Sequence, residues 1–471
     1  MKIGLYLGAM LASGLAISVG QFNAAAVPGE EGDTSGGNLL AGPDVIVGAI
    51  PDVSKHGSNV VNGKTIMAYS FGSTSCNIGT EQLEWYARTS RHPVIPQNAY
   101  RIKSGRIEQI GMSWMKYGFC ALQQTLCGAC TPVPGGCPSL LGIGCSDPYS
   151  ASLNGNQGGL GPRSRVNPTT GAFPADTTAE VASWPAIPTG QSTIGRRVQI
   201  ESTDLDPAQN AGAVYVAECQ YVHPQDAANN NDNNNASYRI FTVGALSSGA
   251  YSLTWPTTVT VQMKPAIYAW QGVTPAVLIT AVDAPDGRFF VAYNVTANGN
   301  GTWHYEYAIQ NLNSDSAGAS LSFPMPTGVT VSNLRFKDVS YHSGEIYDGT
   351  DWTMTAANGE IRFQCTQTFA QNANANALRW STLYNFSFDA STAPTPGNIN
   401  LGLFKTGGSV AFTGNVPSAP AIQGDFNGDG RIDGGDLGQL LSNWGNPGVT
   451  DLNGDGTTDG GDLGTLLSRW G

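Results

Sequence analysis

A mainly β, multi-module chain is the fold class this sequence predicts, and three observations predict it. Glycine supplies 60 of 471 residues and charged residues only 12%, which suits a turn-rich extracellular β protein over a helical enzyme. From about residue 237 onward, apolar and polar residues alternate in short runs separated by Gly, Asn and Pro turns. The last 47 residues carry one loop-and-helix sequence written twice. Together these give a cysteine-rich mixed module, a β-sandwich module and a small α-helical module at the C-terminal side.

The chain opens with Lys2, an apolar stretch from Ile3 to Gly20 and the small residues Ala24, Ala25 and Ala26. Residues 1–26 therefore read as a signal peptide, which makes the protein secreted or cell-surface. No later stretch approaches the roughly 18 apolar residues of a membrane span. Residues 27–45 are Gly-, Glu- and Ser-rich and read as a flexible linker.

The cysteine-rich mixed module runs over 46–225. Of eight cysteines, six fall between Cys76 and Cys145 (the others are Cys120, Cys127, Cys130 and Cys137), while Cys219 and Cys365 stand apart. An even count in an exported chain reads as disulfides, with the pairing open. Cys127 and Cys130 form a CxxC, but no second pair stands at zinc-ligand spacing. Pro132 and Pro134 would stop the helix that a redox CxxC needs. Ile107–Leu126, with Ile107, Ile110, Trp114, Met115 and Leu122 on a loose 3.6 period, is the module's best helix candidate. Residues 145–168 are too rich in turn formers for a helix or strand and read as a pinned or functional loop.

Residues 226–236, a run of Asn and Asp, read as a loop or linker. The β-sandwich module follows over 237–415. Trp303, Tyr305, Tyr307 and Ile309 alternate with His304, Glu306, Ala308 and Gln310. Val259/Val261/Met263, Val329/Val331, Ile361/Phe363/Cys365, Tyr384/Phe386/Phe388 and Ile399/Leu401/Leu403 repeat the pattern. Residues 416–423 form a Pro-rich linker.

The tail, 424–471, carries the strongest chemical signal. Asp425, Asn427, Asp429, Arg431 (through its carbonyl), Asp433 and Asp436 stand at positions 1, 3, 5, 7, 9 and 12 of a calcium loop, with Gly430 at the sharp turn. Asp451, Asn453, Asp455, Thr457 (carbonyl), Asp459 and Asp462 repeat the set 26 residues later, and the copies match at 16 of 21 positions. Oxygen-only ligands at this spacing suit calcium, a hard cation, and two ions are expected. Leu437, Leu440, Leu441 and Trp444, then Leu463, Leu466, Leu467 and Trp470, place an apolar stripe on a helix after each loop.

This tail resembles a type I dockerin, a duplicated loop–helix calcium module. The resemblance covers about a tenth of the chain. It implies two bound Ca2+ ions, a pseudo-twofold helix pair and docking onto a cohesin-like or cell-envelope protein. Positions 10 and 11, where dockerins carry partner-selecting side chains, are here Gly434, Gly435, Gly460 and Gly461. Dockerins commonly ride on polysaccharide-degrading enzymes, but related tags close many secreted proteins, so the tail does not name its cargo.

No catalytic motif emerges from the rest. The histidines are His56, His92, His223, His304 and His342, with no tight ligand pair. His304 and Glu306 should share one polar strand face. A glycoside hydrolase needs two facing carboxylates, and Glu306, Glu345, Asp348, Asp351 and Glu360 are candidates with no pair singled out. Trp255, Trp270, Trp303, Trp352 and Trp380 offer aromatic surface for carbohydrate, with Trp352 the best exposed candidate. Asn235, Asn294 and Asn385 match the glycosylation sequon. The net charge is −12, half of it in the tail's eight Asp and two Arg, with no Lys/Arg cluster, which disfavours nucleic acid as a partner. The reading is a secreted or cell-surface protein whose tail places a non-catalytic binding or structural body. The alternative is an extracellular polysaccharide-degrading glycoside hydrolase carrying the same tail.

Overall fold

Three β-sheets stacked face to face carry most of the chain, and each layer follows from where apolar residues fall on its strands. The computed structural model describes residues 41–471; the expected signal peptide and most of the expected 27–45 linker lie outside the described residues. The protein is mainly β, 40% strand and 11% helix.

Two adjacent layers form a sandwich. One five-stranded antiparallel sheet has the order Leu278–Ala284, Gly287–Ala297, Trp303–Asn311, Thr382–Ala390, Val331–Lys337. The second has Thr353–Ala357, Glu360–Gln364, Gly318–Pro324, Pro394–Leu403, Ser409–Pro417. Their shared core contains Tyr305, Tyr307, Ile309, Phe323, Phe363, Phe386 and Phe388, the apolar phase of the alternation. Tyr305 stacks on Phe388 with ring centroids 4.8 Å apart, an offset-type pairing that adds to simple burial.

The opposite phase of the first sheet does not face solvent. It packs on an eight-stranded antiparallel sheet of order Ala250–Thr254, Ala236–Ser247, Val214–Gln220, Gln97–Lys103, Arg106–Met112, Val198–Glu201, Lys64–Phe71, Val53–Val61. Tyr100, Ile102, Ile107, Val216 and Trp270 meet Phe290, Ala292, Ala308 and Leu383 in this second core. The far face of the eight-stranded sheet, with Tyr69, Phe71, Tyr215 and Phe241, meets small sheets and the disulfide region.

Two buried charged groups in this seam are satisfied across it. Buried Glu218 accepts from Asn98 Nδ2 (2.9 Å), Tyr100 OH (2.8 Å), the Ala266 N–H (2.6 Å) and Gln310 Nε2 (2.7 Å). Buried Arg163 donates to the carbonyls of Ser113 (2.6 Å), Ser381 (3.0 Å) and Gln97 (2.9 Å) and to Asn98 Oδ1 (2.8 Å). A buried charge is tolerated when its lone pairs or protons are this fully used.

Several segments depart from the sequence reading. Cys76–Cys127, Cys120–Cys137 and Cys130–Cys145 are disulfides, so the two cysteines of the CxxC each bond elsewhere; Cys219 and Cys365 are free and buried. Three disulfides belong to a chain that folds outside a reducing cytosol. Ile107–Leu126 is not a helix: it holds the strands Arg106–Met112 and Met115–Tyr117 and an irregular run. Burial on both sheet faces mimicked a helical period there.

Residues 226–236 are not a linker. Asp226 Oδ1 accepts the Val45 N–H (2.9 Å), and Asn231 donates to the Ala41 (3.1 Å) and Pro43 (2.9 Å) carbonyls. Short amide and carboxylate side chains bond backbone well, and here they knot three segments together. The strands Ala236–Ser247 and Ala250–Thr254 extend the eight-stranded sheet, so the sandwich begins at Leu278 rather than at 237. At the other margin, Asp44 and Val45 are buried and Val45 pairs with Asn77, inside the body rather than in a linker.

Two helices, Gly434–Ser442 and Gly460–Leu467, close the chain around their own small core of Ile432, Leu440 and Leu466. Among the described residues, no helix is long and apolar enough to cross a membrane.

Candidate functional site

The tail loops show one geometry twice. Gly430 and Gly456 adopt φ of 86° and 96°, the left-handed turn that a calcium loop needs at position 6 and that only glycine adopts freely. Asp425 accepts from the N–H groups of Gly428 (2.7 Å), Asp429 (3.2 Å) and Gly430 (2.8 Å); Asp451 accepts from Gly454, Asp455 and Gly456 at 2.8, 3.2 and 2.8 Å. Asn427 accepts the Asp429 N–H, Asp429 the Arg431 N–H and Asp433 the Gly435 N–H. Asn453, Asp455 and Asp459 make the corresponding bonds to Asp455, Thr457 and Gly461.

Asp433 and Asp459 cap the two helices, and Asp436 and Asp462 complete the capping boxes. Asp436 and Asp462 also collect N–H groups from the start of each loop. Those bonds, that of Asp433 first, hold the Asp436 carboxyl below its ordinary range; Asp459 does the same for Asp462.

Among the described residues, no three His, Cys, Asp or Glu side chains form a metal cluster. The loop donors are instead spread along each turn, with Asn427 or Asn453 and the Arg431 or Thr457 carbonyl completing an all-oxygen set. A carboxylate has about four acceptor sites, so N–H bonding leaves lone pairs for a cation. The donor chemistry fits calcium.

The copies clasp each other symmetrically. The Gly445 N–H donates to the Thr458 carbonyl (2.8 Å) and the Gly471 N–H to the Ile432 carbonyl (3.1 Å), bonds related by the 26-residue repeat. Only part of each predicted stripe enters the seam. Leu440 and Leu466 are buried, whereas Leu441 (51%), Trp444 (45%), Leu467 (49%) and Trp470 (46%) remain exposed as two equivalent apolar pairs.

A second site lies where the first sandwich sheet meets the eight-stranded sheet. Asn294, Glu306, Ser387 and Arg335 stand in one cross-strand row over four neighbouring strands. Thr296, His304 and Asp389 form the next row. Above them sits the tight hairpin Lys103–Arg106, turning through Ser104 (φ 53°) and Gly105 (φ 75°). The cleft between floor and hairpin has a volume of about 580 Å³ and reaches Arg101 and Glu108.

Arg106 Nε lies 3.2 Å from both Glu108 and Glu306, and Arg101 pairs with Glu108 (2.6 Å) and Asp204 (2.9 Å). His304 bridges Glu306 (3.4 Å) and Asp389 (2.7 Å), and these carboxylates, Glu306 first, raise its pKa.

The remaining candidates disperse. Glu345 accepts the Arg163 N–H (2.7 Å), Asp348 caps the local turn at Thr350, Asp351 is exposed, and Glu360 pairs with Arg362 on the outer sheet. The five carboxylates named from the sequence therefore form no facing pair. Glu108 does approach Glu306, but the Arg106 guanidinium stands where a glycosidic oxygen and water would have to fit. Glu108 escaped the sequence reading because it sits in the span read as helix.

His56, His92, His223 and His342 spend ring nitrogens on Ser70, Pro93, Glu84 and Met112 inside the fold. Trp352 is not exposed: it is buried, stacked on Phe336 at 5.3 Å. Trp270 and Trp380 are buried too, and Trp255 and Trp303 half-buried. Asn235 and Asn385 are buried and cannot present a glycan, while Asn294 lies in the cleft floor.

No protein-family model matches the chain, and no curated protein matches it.

Proposed function

We propose that this is an exported protein whose dockerin-like tail binds two calcium ions and holds a non-catalytic, largely β body at a partner on the cell envelope or on a cohesin-like scaffold. The observation that carries the reading is the doubled loop: two copies fold their ligand oxygens alike and leave equivalent apolar pairs, Leu441/Trp444 and Leu467/Trp470, exposed on a module with its own core. Calcium supplies the charge that the clustered aspartates need to stay close. Asp425, Asn427, Asp429, Asp433, Asp436 and the Arg431 carbonyl would hold one ion; Asp451, Asn453, Asp455, Asp459, Asp462 and the Thr457 carbonyl would hold the other. The exposed pairs would then face the partner. Among the described residues, no hydrogen bond or ion pair ties 424–471 to the body, which leaves the tail's surface free.

Retention on the producing cell tests this. Chelator should release the full chain from washed cells, and calcium should restore binding. A variant lacking 424–471 should be found in the medium in either condition. Retention that is indifferent to both chelator and tail removal would refute the proposal.

A further inference from the structure

The cleft over the Asn294–Glu306–Ser387–Arg335 row holds polar groups that the fold leaves unspent. The Ser387 side chain is buried, and its hydroxyl has no hydrogen-bond partner among the described residues. Arg106 Nη2 is likewise buried and unpartnered, although its guanidinium sits between two carboxylates. A buried polar atom left without a partner is costly, so two of them lining one cleft mark a place where a ligand repays the desolvation. Arg335, at the end of the row, is exposed and makes no hydrogen bond or ion pair among the described residues. Lys103, on the hairpin, bonds only the Gln209 carbonyl and the Asn210 amide oxygen, both neutral.

Charge decides the ligand. The acidic groups at the cleft are already committed: Glu108 to Arg101 and Arg106, Glu306 to Arg106 and His304, Asp389 to His304. The two cations without acidic partners are Lys103 and Arg335, on opposite walls. The rest of the lining combines the ion-paired Arg101, Arg106, Glu108, His304 and Glu306 with the amide of Asn294 and the hydroxyls of Ser104, Thr296 and Ser387, and includes no Phe, Tyr or Trp. Such a surface suits a ligand dense in hydroxyls that carries a negative group, and a volume of about 580 Å³ admits one or two sugar rings.

We propose that this cleft binds an acidic saccharide, a sugar bearing a carboxylate or a sulfate group. Arg335 and Lys103 take the anionic group, and Ser387 and Arg106 donate to ring or hydroxyl oxygens. This rests on reading the β body as a binding body. It does not depend on the tail.

Calorimetric titration of the full chain tests it, with a uronic-acid disaccharide, a sulfated disaccharide, a neutral disaccharide and inorganic sulfate as separate probes. At least one charged disaccharide should bind saturably, and the two arms tell carboxylate from sulfate. Arg335→Gln should weaken that binding about tenfold or more, the worth of a charge-assisted contact, and Ser387→Ala should weaken it severalfold. Arg362→Gln, on the outer sheet, should leave it unchanged. Binding should be equal in calcium and in chelator, so failure of the calcium tail would not register here. Absence of binding by both charged sugars, equal binding of the neutral one, equal affinity for inorganic sulfate, or an unaffected Arg335→Gln variant would each overturn the inference.

Discussion

Asp147 shows how much a single buried group can shape behaviour in this protein. It lies between two disulfide-rich segments, where one oxygen accepts the Leu122 N–H (2.7 Å) and the other is buried without a partner. Burial pushes its pKa up to about 8. In the unfolded chain an aspartate titrates near 4, so the folded state holds the extra proton between those values. Stability from this group is complete below about pH 4 and is lost as pH rises toward 8, at up to about 1.4 kcal/mol per pH unit. Asp147→Asn should therefore match the parent near pH 4 and surpass it at pH 8, as read by urea unfolding midpoints across that range. A parallel pH dependence of parent and variant would remove Asp147 as the cause. His223 and His342, lowered to about 4 by burial, act in the opposite sense below pH 6.5, which is why the comparison needs the paired variant.

At the scale of elements, the tail helices divide their leucines between two tasks. Leu440 and Leu466 fill the seam with Ile432, while Leu441 and Leu467 face outward. Leu440→Ala should cost the tail about 2–5 kcal/mol, the range for emptying a buried leucine site. Leu441→Ala should stay within about 0.5 kcal/mol, as exposed sites do. Hydrogen exchange across Gly434–Ser442 in the full chain with calcium measures this. Equal loss of protection in both variants would mean that the seam is drawn wrongly. The stripe itself was legible in the sequence, but its split was not, because four apolar residues on a short helix do not say which will meet a partner copy.

The same limit explains the strands. Trp303–Asn311 announced itself by alternation, yet its polar phase lies largely against another sheet, with Glu306 and Gln310 buried. The eight-stranded sheet was nearly invisible. Its interior strand Val214–Gln220 is covered on both faces and mixes Glu218 and Gln220 with apolar residues, so no period appears. His304 and Glu306 were picked correctly as neighbours, whereas Ser387 and Arg335 came to them only through strand pairing and Arg106 only through the packing of one sheet on another, all from distant parts of the sequence.

For the molecule as a whole, the layers and the tail are built on different principles. Three stacked sheets hold through apolar cores and the hydrogen-bonded networks at Glu218 and Arg163. The tail concentrates eight aspartates in 48 residues around a three-residue core, and on the proposal made here so small a module should gain its stability from a bound ligand. Calcium should then be bound at stoichiometry, with the body indifferent to it. The decisive measurement is calorimetric titration of calcium into the chelator-stripped full chain and its Asp425→Ala variant. The parent should bind two ions per chain and the variant one. Fewer than one ion for the parent, or an unchanged count in the variant, would contradict it.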